Sequence, residues 1–572
     1  TLRKLLFAIC LGLLYPQSNI DSLYHSYDDI RDQLFAWNAE FGDSNHPFYN
    51  SVVYQLDSIG VSSNENLPIY AVKLSINANE EEDQPRVLIL GQCHAEEILG
   101  VEMSMALIDL FLHPGGTPWV NYELPMFMDN LEIWIVPTHN PEGLRVVHGY
   151  SENDEWIQDE SYRKNKTDVN ENGIFDFSAF HENGGIAGED LDGVDLNRNY
   201  GLNWEGGDDK YIPHPSGCSD NPNYSSNYDY YRGSEPFSET ETQAIRDFVI
   251  DKQFLLSIAY HSSRSGCVSE RVVYPWAWDW HDSNGNEIVD DGEADTSPDF
   301  EVIQMLAKKV ASRIIKEGGG GFIYTPRPQK SMNGNAHDWI YAESGCIQLL
   351  IEMGSDNMQP LDQVIIDGII ESNREGLFYF LKEASSSSAI DTRHISGLVT
   401  DAETDNILED VEIKVLEIHS DILQPRLTDS FGRYRRLIPP VSLTMEFSAE
   451  GYESKTIEIG ENVDELNVAL VPFLSNENHV SPDFYKLNQN YPNPFNPVTI
   501  IGFILPKSEK VWLRVFDING RLIYTLIDDE IIAPGYHEYS LQSQQIYLAS
   551  GIYLYKLETT DWVETRKMLF IK

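Results

Sequence analysis

Basic residues are scarce in this chain of 572 residues. Lysine and arginine together number 40 against 91 aspartates and glutamates, which gives a formal net charge of −51. Nucleic acids and anionic membrane surfaces repel a protein of that charge, so neither is an expected partner. The acidity does not indicate disorder, because 41% of the residues are hydrophobic and 11% are aromatic. That composition can bury a core, and the length predicts about three to five domains.

Cysteines and long apolar runs are also sparse. The five cysteines are too few for disulfides to be the main source of stability. Cys10 lies in an apolar run, residues 5–14, that follows a basic start. This run is shorter than the roughly 20 residues of a membrane-spanning helix, so residues 1–18 are predicted to be a secretory signal peptide. Export to an oxidising setting predicts disulfide pairing, with three connectivities open, among Cys93, Cys218, Cys267 and Cys346.

The patterning changes along the chain. Over residues 22–382 strand-like apolar runs alternate with helical periodicity, as in Val87–Gly91 before Ile98–Leu112, which predicts an α/β domain with a mixed sheet flanked by helices. Short alternating strands then predict two small all-β sandwich domains. The predicted boundaries are linkers at 383–392 and 473–484 and β domains at 393–472 and 485–572.

Two His-x-x-Glu pairs, His94/Glu97 and His139/Glu142, each place an imidazole and a carboxylate within reach of one metal ion. His94 follows a buried-strand pattern and is predicted to open an amphipathic helix. Pro141 predicts that the second pair lies in a loop. Open α/β sheets bind ligands where a strand ends and a helix follows, which favours the first pair as the metal site.

Two further side chains follow apolar runs. His261 comes after residues 254–259 and would complete a His₂Glu set with an open fourth position, as in catalytic zinc sites; the alternative is a histidine satisfied within the core. Glu352 comes after residues 346–351, where a carboxylate beside an activated water can act as a general base. The alternative for Glu352 is an ion pair with a neighbouring arginine.

Substrate-binding candidates occur between these sites. Asn197 and Arg198 stand side by side in GVDLNRNY, and an arginine fork beside an amide suits the terminal carboxylate of a peptide. Arg163, within YRK, could stabilise an oxyanion, but a lone loop arginine is more often solvated surface.

Together, in order, these motifs resemble the zinc carboxypeptidase family over residues 22–382. The matching segments are YHSYDDIRDQL, LPIYAVKLS, the His94/Glu97 pair, NPEG, YRK, GVDLNRNY, YRGSEPFSETETQAIRDF, His261-Ser262, GNAHDW and LLIEMG. The resemblance implies His94, Glu97 and His261 as zinc ligands. It further implies Glu352 as the general base, Arg163 as the oxyanion stabiliser and Asn197 with Arg198 as the binders of the C-terminal carboxylate. It leaves His139 away from the metal.

Two positions depart from the family pattern. Lys330 stands where the family has a substrate-capping tyrosine, and the nearest tyrosine, Tyr324, comes earlier. His337 occupies the position that lines the base of the family's specificity pocket; it suits neither a purely apolar nor a cationic C-terminal residue, so the side-chain preference stays open. The catalytic-type opening begins near Asp21, directly after the predicted signal, so we expect no inhibitory prosegment there.

Two acidic loops resemble calcium-binding loops, in which side-chain oxygens recur at alternate positions. Their candidate ligands are Asp168, Asn170, Asn172 and Asp176 in the first loop and Asp282, Asn284, Asn286, Asp290 and Glu293 in the second. The first loop has Ala179 in place of the bidentate glutamate, and the second has Glu287 in place of the glycine. From the recurring oxygens, calcium is predicted as a possible second cofactor. The alternative is that both are Asn/Asp-rich surface loops that bind no ion.

The two β segments resemble accessory domains. HISGLVTDAETDNILEDVEIKV and TDSFGRY resemble the carboxypeptidase regulatory-like domain, a transthyretin-like sandwich with a structural role. NYPNPFNP, FDINGR and GIYLYKL resemble the C-terminal sorting domain of the type IX secretion system; an unrelated adhesive sandwich is the alternative. This resemblance implies export through the periplasm of a Gram-negative bacterium to a secreted or cell-surface location, with the type IX machinery as partner.

The sequence thus predicts a secreted zinc metallocarboxypeptidase that acts on peptide or protein C-termini. One alternative is a zinc-dependent amidase or deacylase of cell-wall peptides or other non-protein amides, which would not need Asn197 and Arg198. Another is a catalytically silent surface-binding homologue.

Overall fold

A computed structural model describes residues 20, 22–115, 118–175, 192–207, 230–262, 269–278, 295–355, 357–385, 392–418, 420, 422–473, 485–490, 492–493, 495–518, 520–532, 534–542 and 550–570. The predicted signal peptide and most of both predicted linkers lie outside these residues. Over the described ranges, no helix is both long and apolar enough to cross a membrane. The chain divides into two compact units, Thr1–Val471 and Pro472–Lys572.

The first part of the first unit contains helices and strands in alternation. The described helices are α1 (Tyr27–Phe41), α2 (Leu99–Leu112), α3 (Pro118–Asn130), α4 (Pro141–His148), α5 (Thr240–Lys252), α6 (Phe300–Ala311), α7 (Ala336–Ser344) and α8 (Gln363–Ala384). The strands are β1 (Tyr54–Val61), β2 (Pro68–Leu74), β3 (Arg86–Gln92), β4 (Glu132–Thr138), β5 (Tyr150–Glu152), β6 (Glu155–Ile157), β7 (Leu256–Ser262), β8 (Arg271–Tyr274), β9 (Ala277–Trp278), β10 (Asp295–Thr296), β11 (Thr325–Pro328) and β12 (Ile347–Met353).

Eight of these strands form one mixed sheet in the order β1-β2-β4-β3-β7-β12-β8-β11. Strands β4, β3, β7 and β12 run parallel to one another, and β8 is antiparallel to β12. The parallel strands are almost continuously buried, as expected for strands covered on both faces. Their carboxyl ends meet at one edge of the sheet, which confirms the predicted α/β domain with a mixed, helix-flanked sheet.

The sheet separates two hydrophobic cores. Ile258 and Tyr260 of β7 pack in the core that includes α2, α6 and α8. Ala259, between them, packs in the core that includes α5 and α7. Since side chains alternate along a strand, His261 projects on the same face as Ala259, and this face carries the site described below.

The remainder of the first unit is a β-sandwich. Its strands are β13 (Arg393–Asp401), β14 (Glu412–Val415), β15 (Arg426–Leu427), β16 (Arg433–Ile438), β17 (Leu443–Ser448), β18 (Lys455–Ile459) and β19 (Val468–Leu470). They form one sheet ordered β16-β13-β19 and another ordered β15-β14-β17-β18. Val399 of the first sheet and Phe447 of the second belong to the same core.

The second unit is also built from two sheets. Its strands are β20 (Lys486–Leu487), β21 (Val498–Leu505), β22 (Glu509–Asp517), β23 (Leu522–Ile532), β24 (Gly535–Gln542), β25 (Gly551–Thr559) and β26 (Val563–Phe570). The sheets have the orders β20-β21-β24 and β23-β22-β25-β26 and share one core. Both β-rich regions fit the predicted sandwich domains, while the exact domain boundaries stay predictions.

The local structure of the two His-x-x-Glu pairs differs from the prediction. His94 and Glu97 lie in the turn before α2 rather than in its first turn. The predicted loop after His139 is wrong, because helix α4 begins at Pro141 and Asn140 caps it by accepting a hydrogen bond from the Gly143 N–H. Proline is favoured at the first helical position, where the backbone N–H has no partner within the helix.

The predicted pairing of all four cysteines into two disulfides is also not observed. Cys93 and Cys346 are buried free thiols, and every two-disulfide connectivity would need both of them. Cys218 and Cys267 lie outside the described residues.

Candidate active site

Three potential metal ligands meet where β3 and β7 end. His94 Nδ1 lies 3.1 Å from His261 Nδ1 and 2.9 Å from Glu97 Oε1, and His261 Nδ1 lies 2.8 Å from Glu97 Oε2. The three side chains are buried, and their ligand atoms lie within 4.8 Å of one another. In the described part of the chain, no other group of three or more histidines, cysteines and carboxylates meets that distance.

This donor set fits a zinc ion. Two ring nitrogens that face each other and share one carboxylate converge on a single point, and His₂Glu with an open fourth position is a known catalytic zinc set. Burial alone would raise the pKa of Glu97, but the two histidines hold it well below its usual range. His139 is not part of this group, and burial lowers its pKa to about 3.

Asp195 supports the ligands and was missed by the sequence analysis. Its fully buried carboxylate lies 3.1 Å from His94 Nε2, on the far side of the ring from Nδ1, and accepts a hydrogen bond from Arg163 Nε at 3.0 Å. Carboxylates in this position fix the tautomer and orientation of a ligating histidine. The available signal was its place in GVDLNRNY, two residues before Asn197.

Arg163 is a buried side chain and not the solvated loop arginine of the alternative interpretation. Its Nη1 lies 3.2 Å from Glu97 Oε1 and 3.7 Å from Glu96 Oε1. Burial disfavours the charged form, but Asp195, Glu96 and Glu97 together raise the pKa of Arg163 well above its ordinary value. The guanidinium is therefore held charged beside the ligand group.

Asn197 and Arg198 lie in a short 3₁₀ helix, Leu196–Arg198, whose first turn is capped by the Asp195 side chain. Asn197 Oδ1 accepts a hydrogen bond from Ala336 N at 2.9 Å, which fixes the amide against the start of α7. The ring of Tyr230 lies 5.1 Å from the Arg163 guanidinium and 5.8 Å from that of Arg198. Tyr230 thus lies within cation–π distance of Arg163, the predicted oxyanion stabiliser, and of Arg198, the predicted carboxylate binder. No motif had indicated it.

Glu352 lies beside this group on β12, where its Cα is paired with that of His261 on β7. Residues paired in this way project from the same face of the sheet. Burial, and then the charge of Glu97, raise the pKa of Glu352 to about 8. Its Oε2 makes no hydrogen bond with the described residues, so this oxygen offers a free acceptor.

The two positions that depart from the family pattern, His337 and Lys330, lie in different surroundings. His337 is buried in α7 with neither ring nitrogen hydrogen-bonded within the described chain. Burial first, and then the charges of His261 and Arg198, lower its pKa to about 3, so its ring is uncharged at neutral pH. Tyr324 is buried in the opposite core and accepts a hydrogen bond from Gly354 N at 3.2 Å, where it cannot cover a substrate. Lys330 is exposed after β11.

In the first calcium-like loop, side-chain oxygens accept hydrogen bonds from backbone N–H groups of the same loop. Asp168 Oδ2 accepts a hydrogen bond from Gly173 N at 2.7 Å, and Asn172 Oδ1 accepts one from Ile174 N at 2.7 Å. The second of these bonds is typical of an Asx turn. Asp176 and the second loop (Asp282, Asn284, Asn286, Asp290 and Glu293) lie outside the described residues, and calcium binding stays a prediction.

Comparison with known proteins identifies relatives of this chain. The carboxypeptidase N catalytic chain of Mus musculus is 23% identical over 453 residues, which cover 76% of this chain and 82% of the relative. Carboxypeptidase B of Astacus astacus is 26% identical over 267 residues, which cover 45% of this chain and 68% of the relative. The crystal structure of thrombin activatable fibrinolysis inhibitor is 18% identical with a TM-score of 0.44, and the match covers 64% of this chain and 74% of that one.

The family model for zinc carboxypeptidases matches residues 49–375. The chain belongs to the zinc carboxypeptidase family. The matched range includes every residue that the sequence predicted for zinc binding, general-base catalysis and substrate binding. The predicted family, and with it the class of zinc-dependent metallopeptidase hydrolases, is therefore confirmed.

The tail of this zinc carboxypeptidase family member matches a second model, described as a secretion system C-terminal sorting domain, over residues 489–572. The predicted type IX sorting domain is thereby confirmed. Neither matched range includes residues 393–472, so their assignment as a regulatory-like domain stays a prediction.

Proposed function

We propose that this protein is a secreted metallocarboxypeptidase that uses zinc to hydrolyse the C-terminal peptide bond of peptides and proteins. The observation that carries the proposal is the convergence of His94, Glu97 and His261 beside Glu352, on one face and at one edge of the sheet. The sorting domain in the second unit supports export and a secreted or cell-surface location.

Each side chain then has a distinct role. Zinc in this site would supply the Lewis acidity that activates water and polarises the scissile carbonyl. Glu352 takes a proton from the attacking water and delivers it to the leaving amine nitrogen. A carboxyl group held beside the catalytic metal and screened from solvent is suited to such a transfer at neutral pH.

Arg163 and Arg198 each interact with a different negative charge of the substrate. Arg163, held charged by Asp195 and Glu96, stabilises the oxyanion that forms at the scissile carbonyl. Asn197 and Arg198 bind the free C-terminal carboxylate, and this contact restricts cleavage to the last peptide bond. The Tyr230 ring lies within 5.8 Å of both guanidiniums and positions both by cation–π contact.

Sequential release of amino acids tests this function. The secreted protein is incubated with a mixed peptide library, and mass spectrometry follows the products. We expect stepwise loss from free C-termini, no loss from C-amidated copies of the same peptides and no loss after chelator treatment. Cleavage of the amidated copies would instead favour an amidase or deacylase, and no cleavage at all would favour a silent homologue.

A further inference from the structure

The NPEG segment, residues 140–143, has no role in the proposed reaction, although it follows a strand that ends at the site. Its first residue, Asn140, is fully buried between β4 and α4. Strand β4 runs parallel to β3, the strand that leads to His94. Because parallel strands end at the same edge of a sheet, Asn140 lies beside the chain that carries the zinc ligands. We call residues 93–97 the ligand loop and residues 163–165 the arginine loop.

The amide group of Asn140 is hydrogen-bonded to both loops. Its Nδ2 donates to Cys93 O at 2.9 Å and to Lys164 O at 3.2 Å. Cys93 directly precedes the zinc ligand His94, and Lys164 directly follows Arg163. Cys93 and Lys164 are both buried, so a carbonyl that lost its bond to Asn140 would not be solvated in exchange. One amide nitrogen thus connects the metal ligands to the proposed oxyanion stabiliser.

A second set of hydrogen bonds links Asn140 to the ligand loop through β4. Thr138 Oγ1 accepts from Asn140 N at 3.1 Å and donates to the side-chain oxygen of Gln92. The Gln92 amide in turn donates to His94 O at 3.0 Å. The peptide groups before and after His94 are therefore both held, one by Asn140 directly and one through Thr138 and Gln92.

The close approach of helix α4 to the arginine loop depends on the glycine of the segment. A Cβ atom at Gly143 would lie 2.5 Å from Lys164 O, well inside van der Waals contact. Gly143 N also donates to Asn140 Oδ1 at 3.1 Å. The amide of Asn140 is therefore oriented, with its oxygen bonded to its own helix and its nitrogen bonded to the two loops.

The two loops need a fixed spacing because their side chains meet in the site. Arg163 Nη2 lies 2.8 Å from His94 Nε2, and Ala95 N donates to Arg163 O at 2.9 Å. A shift of one loop against the other would move the guanidinium relative to the metal ligands. Displacements of about 1 Å can reduce turnover by about 10²-fold.

We propose that Asn140 is a positioning residue, whose amide nitrogen holds the ligand loop and the arginine loop at the spacing that zinc binding and oxyanion stabilisation require. This inference rests on the proposed carboxypeptidase function and adds to it a residue that contacts neither metal nor substrate. The alternative is that Asn140 serves only as the N-cap of α4.

Two substitutions separate the helix cap from the bonds to the loops. Asn140→Asp keeps a capping oxygen, and Asn140→Ser keeps a capping hydroxyl without adding a charge; asparagine, aspartate and serine cap helices about equally well. An ionised carboxylate has no proton to donate, and a serine hydroxyl has one proton on a shorter side chain. Neither variant can therefore donate to both carbonyl oxygens.

We expect both variants to bind zinc at least about tenfold more weakly than the parent, as when other groups that orient metal ligands are lost. In zinc-saturated samples, kcat for release of a C-terminal residue should fall about 10–100-fold. KM should stay within about threefold, because Asn197 and Arg198 still bind the terminal carboxylate. Titration against a competing chelator gives the zinc Kd, and steady-state kinetics on one peptide give kcat and KM.

Asn490→Asp is the matched control. Asn490 is a buried asparagine of the second unit, and its Nδ2 donates to Pro492 O at 3.1 Å and to Thr499 Oγ1 at 2.9 Å. The substitution makes the same chemical change to a buried amide with two acceptors, in a unit that carries no residue of the site. It should leave zinc affinity and kcat unchanged. Circular dichroism and melting temperature verify that each variant is folded.

The possible results separate the inference from the proposed function. Zinc affinity and kcat equal to those of the parent in both Asn140 variants would overturn the inference and leave Asn140 as a helix cap. A loss of only one of these two quantities, or the same losses in Asn490→Asp, would overturn it as well. If the parent releases no C-terminal residue, the proposed function fails, and the zinc affinity of the variants alone decides whether Asn140 positions the ligand loop.

Discussion

The carboxylate of Asp195 connects the metal site to the oxyanion site, because one oxygen lies against His94 Nε2 and the other accepts from Arg163 Nε. Neither contact involves substrate or metal directly, so Asp195 is a positioning residue. Its effect should appear in metal affinity as well as in rate.

Asp195→Asn should therefore weaken zinc binding by about 10–100-fold, the usual cost of losing such a partner. The amide keeps the shape but not the charge that holds the His94 ring and Arg163. Competition with a chromophoric chelator measures the zinc Kd. Asp109→Asn is a matched control, because Asp109 pairs with His113 at 2.9 Å on the surface; equal zinc affinity in Asp195→Asn and the parent would refute the role.

Glu241 shows how a buried residue outside the site makes stability depend on pH. Its carboxyl group is buried close to Glu142 and Glu239. Burial first, and then these two charges, raise its pKa from 4.5 to about 8. Between those values the folded protein binds a proton that the unfolded chain releases, so the free energy of unfolding falls as pH rises.

The Glu241 carboxyl group lowers the free energy of unfolding by up to about 1.4 kcal/mol for each pH unit. Glu241→Gln keeps the side chain neutral at every pH and should flatten the decline between about pH 5 and 8. Urea unfolding at a series of pH values measures the free energy of unfolding and hence its decline with pH. The same slope in the variant and the parent would show that Glu241 is ionised in the folded state.

At the scale of elements, strand β16 of the sandwich is attached to the α/β part by a buried ion pair. Arg436 Nη2 donates to both oxygens of Asp299, at 3.2 and 2.9 Å, and the hydroxyl of Tyr341 donates to the same carboxylate at 2.7 Å. Asp299 precedes helix α6 and is buried. The contact thus joins a sandwich strand to a helix that packs beneath β8 and β11.

Arg436→Met should lower the free energy of unfolding by about 3–5 kcal/mol, because it leaves the Asp299 charge buried without its partner. Denaturant unfolding of the full chain measures the change. Arg31→Met removes an exposed partner of Asp28 and should cost less than about 1 kcal/mol. A similarly small effect of Arg436→Met would mean that the sandwich is held by other contacts.

How well the sequence predicts a part of the fold or the site depends on the kind of segment in which its residues lie. His94, His261 and Glu352 follow apolar runs, and strands buried on both faces produce such runs. Glu97 is predicted from its spacing to His94. Tyr230 lies in a segment without periodicity, so only its contacts reveal it. Asp195 lies within the GVDLNRNY motif, but its role follows from its contacts with His94 and Arg163. Pro141 was ambiguous, because a proline ends one helix and begins another equally well.

For the molecule as a whole, catalysis and export are assigned to different units of the chain. The zinc carboxypeptidase match lies within the first unit, and the sorting-domain match lies within the second. We therefore expect the first unit to carry all the residues that determine zinc binding and turnover. Whether those residues work together as proposed depends on Glu352, the proposed general base, which is not expected to hold the metal.

Zinc content and peptide turnover, measured on the same samples of the parent and Glu352→Gln, test the central claim most directly. The parent should bind zinc and release C-terminal residues. The variant should bind zinc equally well and lose about 10²–10⁴-fold in kcat, the usual contribution of a general base. Undiminished turnover in a zinc-loaded Glu352→Gln protein, or turnover by a zinc-free parent, would contradict the account.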